Sequence, residues 1–363
     1  MNFQGTILNN YNLTSDNCVF SYRRCFFVLR AQNVNGKLIW ANEALSKEDY
    51  YCPSCHKKLI IKKGNLKQTH FAHIKKNCES YSEGETDEHL KGKLEIANLF
   101  EKAGYRSELE SYDEVLRQRP DIIIQNEFKK SVIEFQCAAL SVKKMKERSL
   151  GYKKAKINFL WILGQHYLLK KKMTQQIAKF LLWRSSLGYY LIYYLTSKKK
   201  FRLLYGIQQT DYLPLKYRTL EFSSVVSLKE FFVQGNSVRF LKISNGERVI
   251  QLKAFEIEKL RSQGKFRNIQ IKWYLVKQKI EKFRNLYFSN NYSPPIFVTK
   301  ELYWKNEVIY LFFEKKVSSD QLYYKAIFEC EKYMFEVPII DRERIARTHV
   351  KIFLDSLKNG RLD

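Results

Sequence analysis

Two carboxylates interrupt apolar stretches of this 363-residue chain. Asp121 follows Pro120 and opens the run Ile122-Ile123-Ile124, and Glu134 sits inside Val132-Ile133-Glu134-Phe135-Gln136. A carboxylate in an apolar strand is costly unless it is paired or binds a cation. If the two segments pair as a hairpin, Asp121 meets Glu134, and two converging carboxylates make a hard-cation site for Mg2+ or Mn2+. Such an ion polarises a phosphate and activates water for phosphodiester cleavage. Alternation along a strand sends Glu134 and Gln136 to one face and Phe135 to the other. Upstream, Glu85, His89 and Lys93 recur at i, i+4, i+8 and share one stripe of a helix. Glu85 or Glu88 can complete the metal site, and His89 can relay a proton or touch phosphate. Downstream, Arg148 and Tyr152 are again i, i+4 and can bind phosphate or position Gln136. Taken singly, the stripe reads as a solvated helix face and the carboxylates as salt-bridged edge-strand residues. Their order along the chain is what points to chemistry.

A second constellation precedes them. Cys52-x-x-Cys55 is followed after 14 residues by His70-x-x-His73. Two thiolates and two imidazoles are a tetrahedral Zn2+ set, and four protein ligands make the role structural. Cys78 or His56 can replace one of the histidines.

These residues need elements to position them. Residues 1–79 read as short strands and turns, with Asn35-Gly36 as a hairpin signal and a second turn near Gly64-Asn65. Residues 82–103 read as a helix opened by a Ser82/Glu85 capping box and closed by Gly104. Strands are expected at Tyr105–Glu110, Arg119–Ile124 and Val132–Ala138, a helix from Ser141 to about Lys154, and a buried strand at Ile157–Leu163. This α-β-β-β-α-β order makes an α/β (α+β) unit with a mixed sheet over residues 80–165. Beyond it, Leu168–Trp183 looks helical, Tyr189–Leu195 and Phe201–Ile207 look like a hairpin, and 253–288 looks helical and basic. Residues 166–363 are taken together as a basic, aromatic-rich C-terminal domain.

The net charge is +27 and uneven. Residues 151–300 carry 29 Lys/Arg against 7 Asp/Glu, and residues 151–200 carry 11 basic residues and no acid. Such a field suits a polyanion, nucleic acid above all, and Lys198, Lys199 and Lys200 are candidate DNA-binding residues within it. Hydrophobic residues at 45% exclude a disordered chain. No apolar run is long enough for a bilayer, and Met1–Asn12 lacks the basic start and apolar stretch of a secretory signal, so no membrane partner is expected. Seven cysteines do not read as a disulfide framework, and a cytoplasmic location is expected.

Pro120-Asp121 followed by Glu134-x-Gln136 on consecutive strands resembles the PD-(D/E)XK nuclease superfamily. Joined to Tyr51-Cys52-Pro53-x-Cys55, Gly64, His70-Phe71-Ala72-His73, Glu85-x3-His89-x3-Lys93, Arg148-x3-Tyr152 and Trp161-Ile162-Leu163-Gly164, the pattern resembles the competence protein CoiA family over about residues 30–165. The resemblance implies a restriction-endonuclease-like core behind an N-terminal zinc-knuckle-like segment. It also implies a role in natural transformation: processing incoming single-stranded DNA, or assisting its recombination alongside recombination proteins. The superfamily's metal carboxylates carry over to Asp121 and Glu134, and its helix glutamate to Glu85. Its lysine position holds Gln136, which orients water but supplies no cation. Three outcomes fit this departure: a slow site, a site that recruits Lys93 or Arg148 for the charge, or one that binds DNA without cutting it. Three functions fit: a metal-dependent deoxyribonuclease, a non-catalytic DNA-binding recombination mediator on the same fold, or a zinc-containing RNA-binding or restriction-type protein.

Overall fold

A computed structural model describes residues 27–28, 30–53, 55–63, 69–74, 86–113, 118–234, 241–288, 292–313 and 318–358. The N-terminal part is an antiparallel sheet of short strands: β1 (Phe27–Val28), β2 (Arg30–Asn33), β3 (Leu38–Trp40), β4 (Tyr50–Tyr51), β5 (Lys58–Lys62) and β6 (His70–His73), in spatial order β1-β6-β5-β4-β2-β3. The expected Asn35-Gly36 turn joins β2 to β3, with Gly36 at φ 74. That left-handed conformation is one a glycine adopts without strain. The Gly64-Asn65 turn lies outside the described residues.

The central unit follows as α1 (Asp87–Glu101), β7 (Arg106–Leu109), β8 (Ile122–Gln125), β9 (Lys130–Gln136), α2 (Val142–Lys154) and β10 (Asn158–Leu163). This is the expected order, with shifted boundaries. Thr86 caps α1 by accepting from His89 N, and Ser82 and Glu85 lie outside the described residues. Ser141 caps α2 as expected, accepting from Lys144 N. β8 starts three residues later than expected, because Pro120 has no N–H to give a ladder.

The sheet does not stop at residue 165. After a short 3-10 turn come α3 (Gln175–Ala178), β11 (Leu182–Arg184), β12 (Gly188–Leu195), β13 (Lys200–Gln208) and β14 (Lys216–Phe222). β12 joins β10 in parallel, giving an eight-stranded mixed sheet in the order β14-β13-β12-β10-β9-β8-β7, with β11 paired to β12. The boundary read at 165 therefore cuts this sheet. The helix read over Leu168–Trp183 is also corrected, to one helical turn and a strand. Its apolar residues Leu169, Met173, Ile177, Phe180 and Leu181 are all buried, and Leu182–Arg184 is captured by the edge of β12. Tertiary burial overrides helical spacing here.

The helical remainder is α4 (Val225–Val233), α5 (Asn245–Arg261), α6 (Gly264–Leu275), α7 (Arg284–Tyr287), α8 (Leu302–Phe313), α9 (Ser319–Lys332) and α10 (Arg342–Lys358). Asp211, just after β13, binds it to the sheet by accepting from the backbone N–H groups of Glu301 (2.7 Å) and Leu302 (3.0 Å) at the start of α8. Glu301 in turn meets His349 on α10 at 2.7 Å and Lys305 at 3.3 Å. Burial and the Glu301 charge push Asp211 up to about 6. Among the described residues no helix is long and apolar enough to cross a membrane.

Strand alternation divides the sheet into two faces. Ile122, Ile124, Ile133 and Phe135 pack with Ile96, Ala97 and Phe100 of α1. Val132 and Ile123 pack with Tyr152 of α2, while Trp161 and Leu163 pack with Met145 of α2 and on into the core of the C-terminal helices. α1 lies close because Gly92 faces Phe135: a Cβ at Gly92 would come within 2.1 Å of the Phe135 ring. That approach carries His89 and Lys93 toward Asp121. Phe135 is fully buried and cannot swing aside. Gly92→Ala is therefore expected to lower unfolding free energy by about 1–3 kcal/mol in urea titration, despite alanine's better helix propensity. A Phe135→Leu background should reduce that loss; an unchanged midpoint for Gly92→Ala would show that α1 stands off β9.

Candidate functional site

The β8–β9 ladder pairs Ile122 with Ile133 in antiparallel register. One residue further along, Asp121 comes level with Glu134, as the sequence reading required. Asp121 Oδ2 accepts from Phe135 N at 2.9 Å and lies 3.1 Å from His89 Nε2. Lys93 Nζ is 4.0 Å from Asp121 Oδ1. Glu134 is held from the other face of the sheet. Arg148 Nη2 donates to Glu134 Oε1 (2.6 Å) and Oε2 (2.7 Å), and Tyr152 donates its hydroxyl to Oε1. The i, i+4 spacing of Arg148 and Tyr152 on α2 is what allows both to converge on one carboxylate.

Helix α1 thus presents His89 and Lys93 inward, so these two positions of the stripe do not form a solvated face. Lys93 is fully buried and pairs with Glu110 at 2.5 Å. Glu110 and Arg119, which the sequence reading overlooked, complete an ion-pair network: Arg119 Nη2 binds Glu110 Oε2, and Arg119 Nε donates to the Glu110 carbonyl at 2.9 Å. Glu110 is 3% exposed at φ 50, a left-handed backbone held in place by these bonds. A usable signal was an acid at the end of β7 and an arginine directly before Pro120. Glu88, weighed as a metal ligand, instead accepts from Gln165 N at 2.8 Å and ties α1 to the end of β10. Gln136 Nε2 donates to the Ala138 carbonyl at 2.9 Å. Tyr152, expected on DNA, is fully buried, because its ring fills the space between α2 and the sheet. Arg148 keeps 28% of its side chain exposed, beside the Trp161 ring. Lys198, Lys199 and Lys200 lie exposed at the β12–β13 turn, with Lys198 3.5 Å from Glu221. Glu85 lies outside the described residues.

The two carboxylates titrate differently. Burial raises Asp121, but His89, Lys93 and Arg148 outweigh it and hold the group well below the usual carboxylate range. Burial and the neighbouring Asp121 charge push Glu134 up to about 7, against the pull of Arg148 and Tyr152. This is the pattern of two interacting acids whose environments push their affinities for protons apart.

In the N-terminal sheet, Cys52, Cys55 and His73 bring their ligand atoms within 4.8 Å of one another. Cys52 N donates to Lys57 O and His56 N to Cys52 O, each at 2.9 Å, so a tight turn with His56 at φ 54 presents both sulfurs. Cys55 Sγ is 3.3 Å from His73 Nε2. Burial, with Arg119 and Lys57 nearby, lowers the His73 pKa and favours the neutral, ligating imidazole. His70 does not join them. The histidines sit three apart on β6, not on a turn, and odd spacing on a strand sends side chains to opposite faces. His56 is also outside the cluster, and Cys78 lies outside the described residues.

A mixed α/β core with a paired-carboxylate site, behind a Cys/His knuckle, defines a nuclease-like protein. Residues 85–233 match the family model described as competence protein CoiA, nuclease-like domain, and residues 39–81 match the CoiA N-terminal domain. The competence protein CoiA of Bacillus subtilis (strain 168) is 32% identical over 124 residues, 34% of this chain and 33% of that protein. The matched segment thus spans about a third of the length of that curated relative. This chain belongs to the competence protein CoiA family. No solved structure matches it.

The raised Glu134 pKa sets a pH signature. Between its ordinary value near 4.5 and about 7, the unfolded chain loses the proton while the folded chain keeps it. Stability from this group therefore falls as pH rises through that window. Asp121 has the opposite sign, and its contribution is lost only below its ordinary value near 3.8. The unfolding free energy of the wild type minus that of Glu134→Gln is expected to decline from pH 4.5 to 7 and then level; a flat difference would show that Glu134 is ionised throughout.

Proposed function

We propose that this chain acts in natural transformation as a metal-dependent deoxyribonuclease on incoming single-stranded DNA or recombination intermediates. The observation that carries this reading is the register of β8 and β9, which sets Asp121 against Glu134. Two carboxylates at one point fit a hard divalent cation better than they fit each other, since like charges this close cannot both ionise freely. The family relationship and the basic middle of the chain agree with a nucleic-acid substrate.

In this reading Asp121 and Glu134 hold Mg2+ or Mn2+, and Glu85 is a further candidate ligand. The cation supplies Lewis-acid polarisation of the phosphate and an activated water when bound. His89 orients Asp121 and stands ready to pass a proton. Gln136, in place of the superfamily's lysine, orients water by hydrogen bonding. Lys93 supplies the missing positive charge from helix α1, near Asp121 rather than from β9. Arg148 meets the phosphodiester, and Lys198, Lys199 and Lys200 hold the strand through its backbone. Cys52, Cys55 and His73 hold a structural Zn2+ that fastens the N-terminal sheet, which has little apolar core of its own.

A second reading is a non-catalytic DNA-binding recombination mediator. It is favoured by Gln136 and by the double engagement of Glu134 with Arg148 and Tyr152.

Cleavage of end-labelled single- and double-stranded DNA with Mn2+ or Mg2+ separates the two. Asp121→Asn and Glu134→Gln are each expected to lower the rate by about a hundredfold or more, a loss at least as large as that of a metal site's supporting residues. DNA bound but uncut by the wild type would select the mediator. Metal analysis of the purified chain is expected to find one zinc, lost in Cys52→Ser/Cys55→Ser; unchanged zinc in that variant would remove the assignment.

A further inference from the structure

The contacts around the paired carboxylates form a single charge network. Lys93 and Arg119 flank Glu110, Lys93 also approaches Asp121, and Arg148 grips Glu134 while donating to the Arg119 carbonyl at 3.3 Å. Among the described residues, three permanent cations, Lys93, Arg119 and Arg148, face the three carboxyl groups of Glu110, Asp121 and Glu134, so even with Glu134 ionised these residues carry no surplus negative charge. A divalent cation placed there by itself would leave two positive charges in a closed, poorly hydrated site, at a large desolvation cost. A DNA phosphate arriving with it supplies compensating negative charge.

The three cations differ in freedom. The side chain of Lys93 is 0% exposed and that of Arg119 6%, whereas that of Arg148 is 28% exposed. Arg148 reaches both oxygens of Glu134 through one nitrogen, Nη2. A guanidinium binds a phosphate diester with the same geometry it offers a carboxylate. It therefore has an alternative partner as soon as DNA enters.

We propose that Arg148 is a latch that couples cation binding to DNA binding. In the free protein it occupies both oxygens of Glu134. When a phosphodiester arrives, Arg148 transfers to it and releases Glu134 to the cation. The inference rests on the metal-dependent reading above and deepens it: the site takes metal and DNA together, which keeps the free protein from assembling an active centre without substrate. By linkage, DNA must tighten the cation by the same factor that the cation tightens DNA.

The test is Mn2+ binding to the full zinc-loaded chain, read by electron paramagnetic resonance, with and without a single-stranded phosphorothioate oligonucleotide. Asp121→Asn and oligonucleotide alone define the background. The wild type is expected to bind Mn2+ weakly alone and about tenfold or more tightly with the oligonucleotide, within the usual range of coupling. Arg148→Met and Arg148→Lys should each bind Mn2+ about tenfold more tightly than the wild type without DNA. Arg148→Lys keeps the charge but loses the reach to both oxygens. If it binds Mn2+ like the wild type while Arg148→Met binds more tightly, simple charge repulsion explains the effect and the latch is overturned. Equal wild-type affinity with and without DNA also overturns it, yet leaves the Asp121/Glu134 metal site standing. No Mn2+ above background under any condition would overturn the latch and the metal-dependent reading together. The wild-type comparison stands even if the Arg148 variants fail to fold.

Discussion

Glu134 lies with no exposure in the middle of a strand covered on both faces. An unpaired carboxylate there would cost several kcal/mol, and removing one partner of a buried pair typically costs about 3–5 kcal/mol. Much of the central unit follows from that constraint. Helix α2 has to bring Arg148 and Tyr152 within reach, so Ser141 must start it in the right phase. Trp161 packs beside the Arg148 guanidinium and donates to Ser149 at 3.1 Å, fixing the helix from beneath. The Arg119 carbonyl accepts from Arg148, which ties the loop before β8 to the same arginine. A site of this kind is expensive for stability, because each buried charge obliges another element to supply its partner.

Helix α1 answers the matching requirement on Asp121. Gly92 lets it close on Phe135, and the same closure buries Lys93 among Glu110, Arg119 and Asp121. The positive charge absent from position 136 is thus present in the fold, but it comes from a different element. In this chain a cation stands 4.0 Å from Asp121, brought by Lys93 of α1 and not by a residue of β9.

The central unit was legible in the sequence because its signals are local. Helix caps at Ser141, turn residues at Asn35-Gly36 and alternation on β9 each act over a few residues. The pairing of Asp121 with Glu134 followed from hairpin register alone. Long-range features were not legible. The acid at the end of β7 and the arginine before Pro120 hint at a pair, but the burial of Glu110 depends on Lys93, which is distant in the sequence, and on Arg119 across a loop. His70 and His73 looked like a ligand pair because spacing of three suits a turn; on a strand the same spacing separates them. Leu168–Trp183 carried helical spacing, but β12 and the C-terminal core claimed its side chains. The joining of β12 to β10 across some 24 residues left no local trace.

That last pairing determines where the molecule can be divided. A fragment ending at residue 165 would keep both carboxylates, both flanking helices and Arg148, yet it would strip β12 from the C-terminal end of β10, where Leu163 pairs with Tyr193. Trp161, Ile162 and Leu163 are all buried in the intact sheet. An apolar edge stripped of its neighbour is a template for pairing with another copy, and so for aggregation. The paired-carboxylate unit therefore cannot be excised as a module by a cut at its own margin. The carboxylate pair and its partners lie before residue 165, but part of the sheet that covers them lies after it.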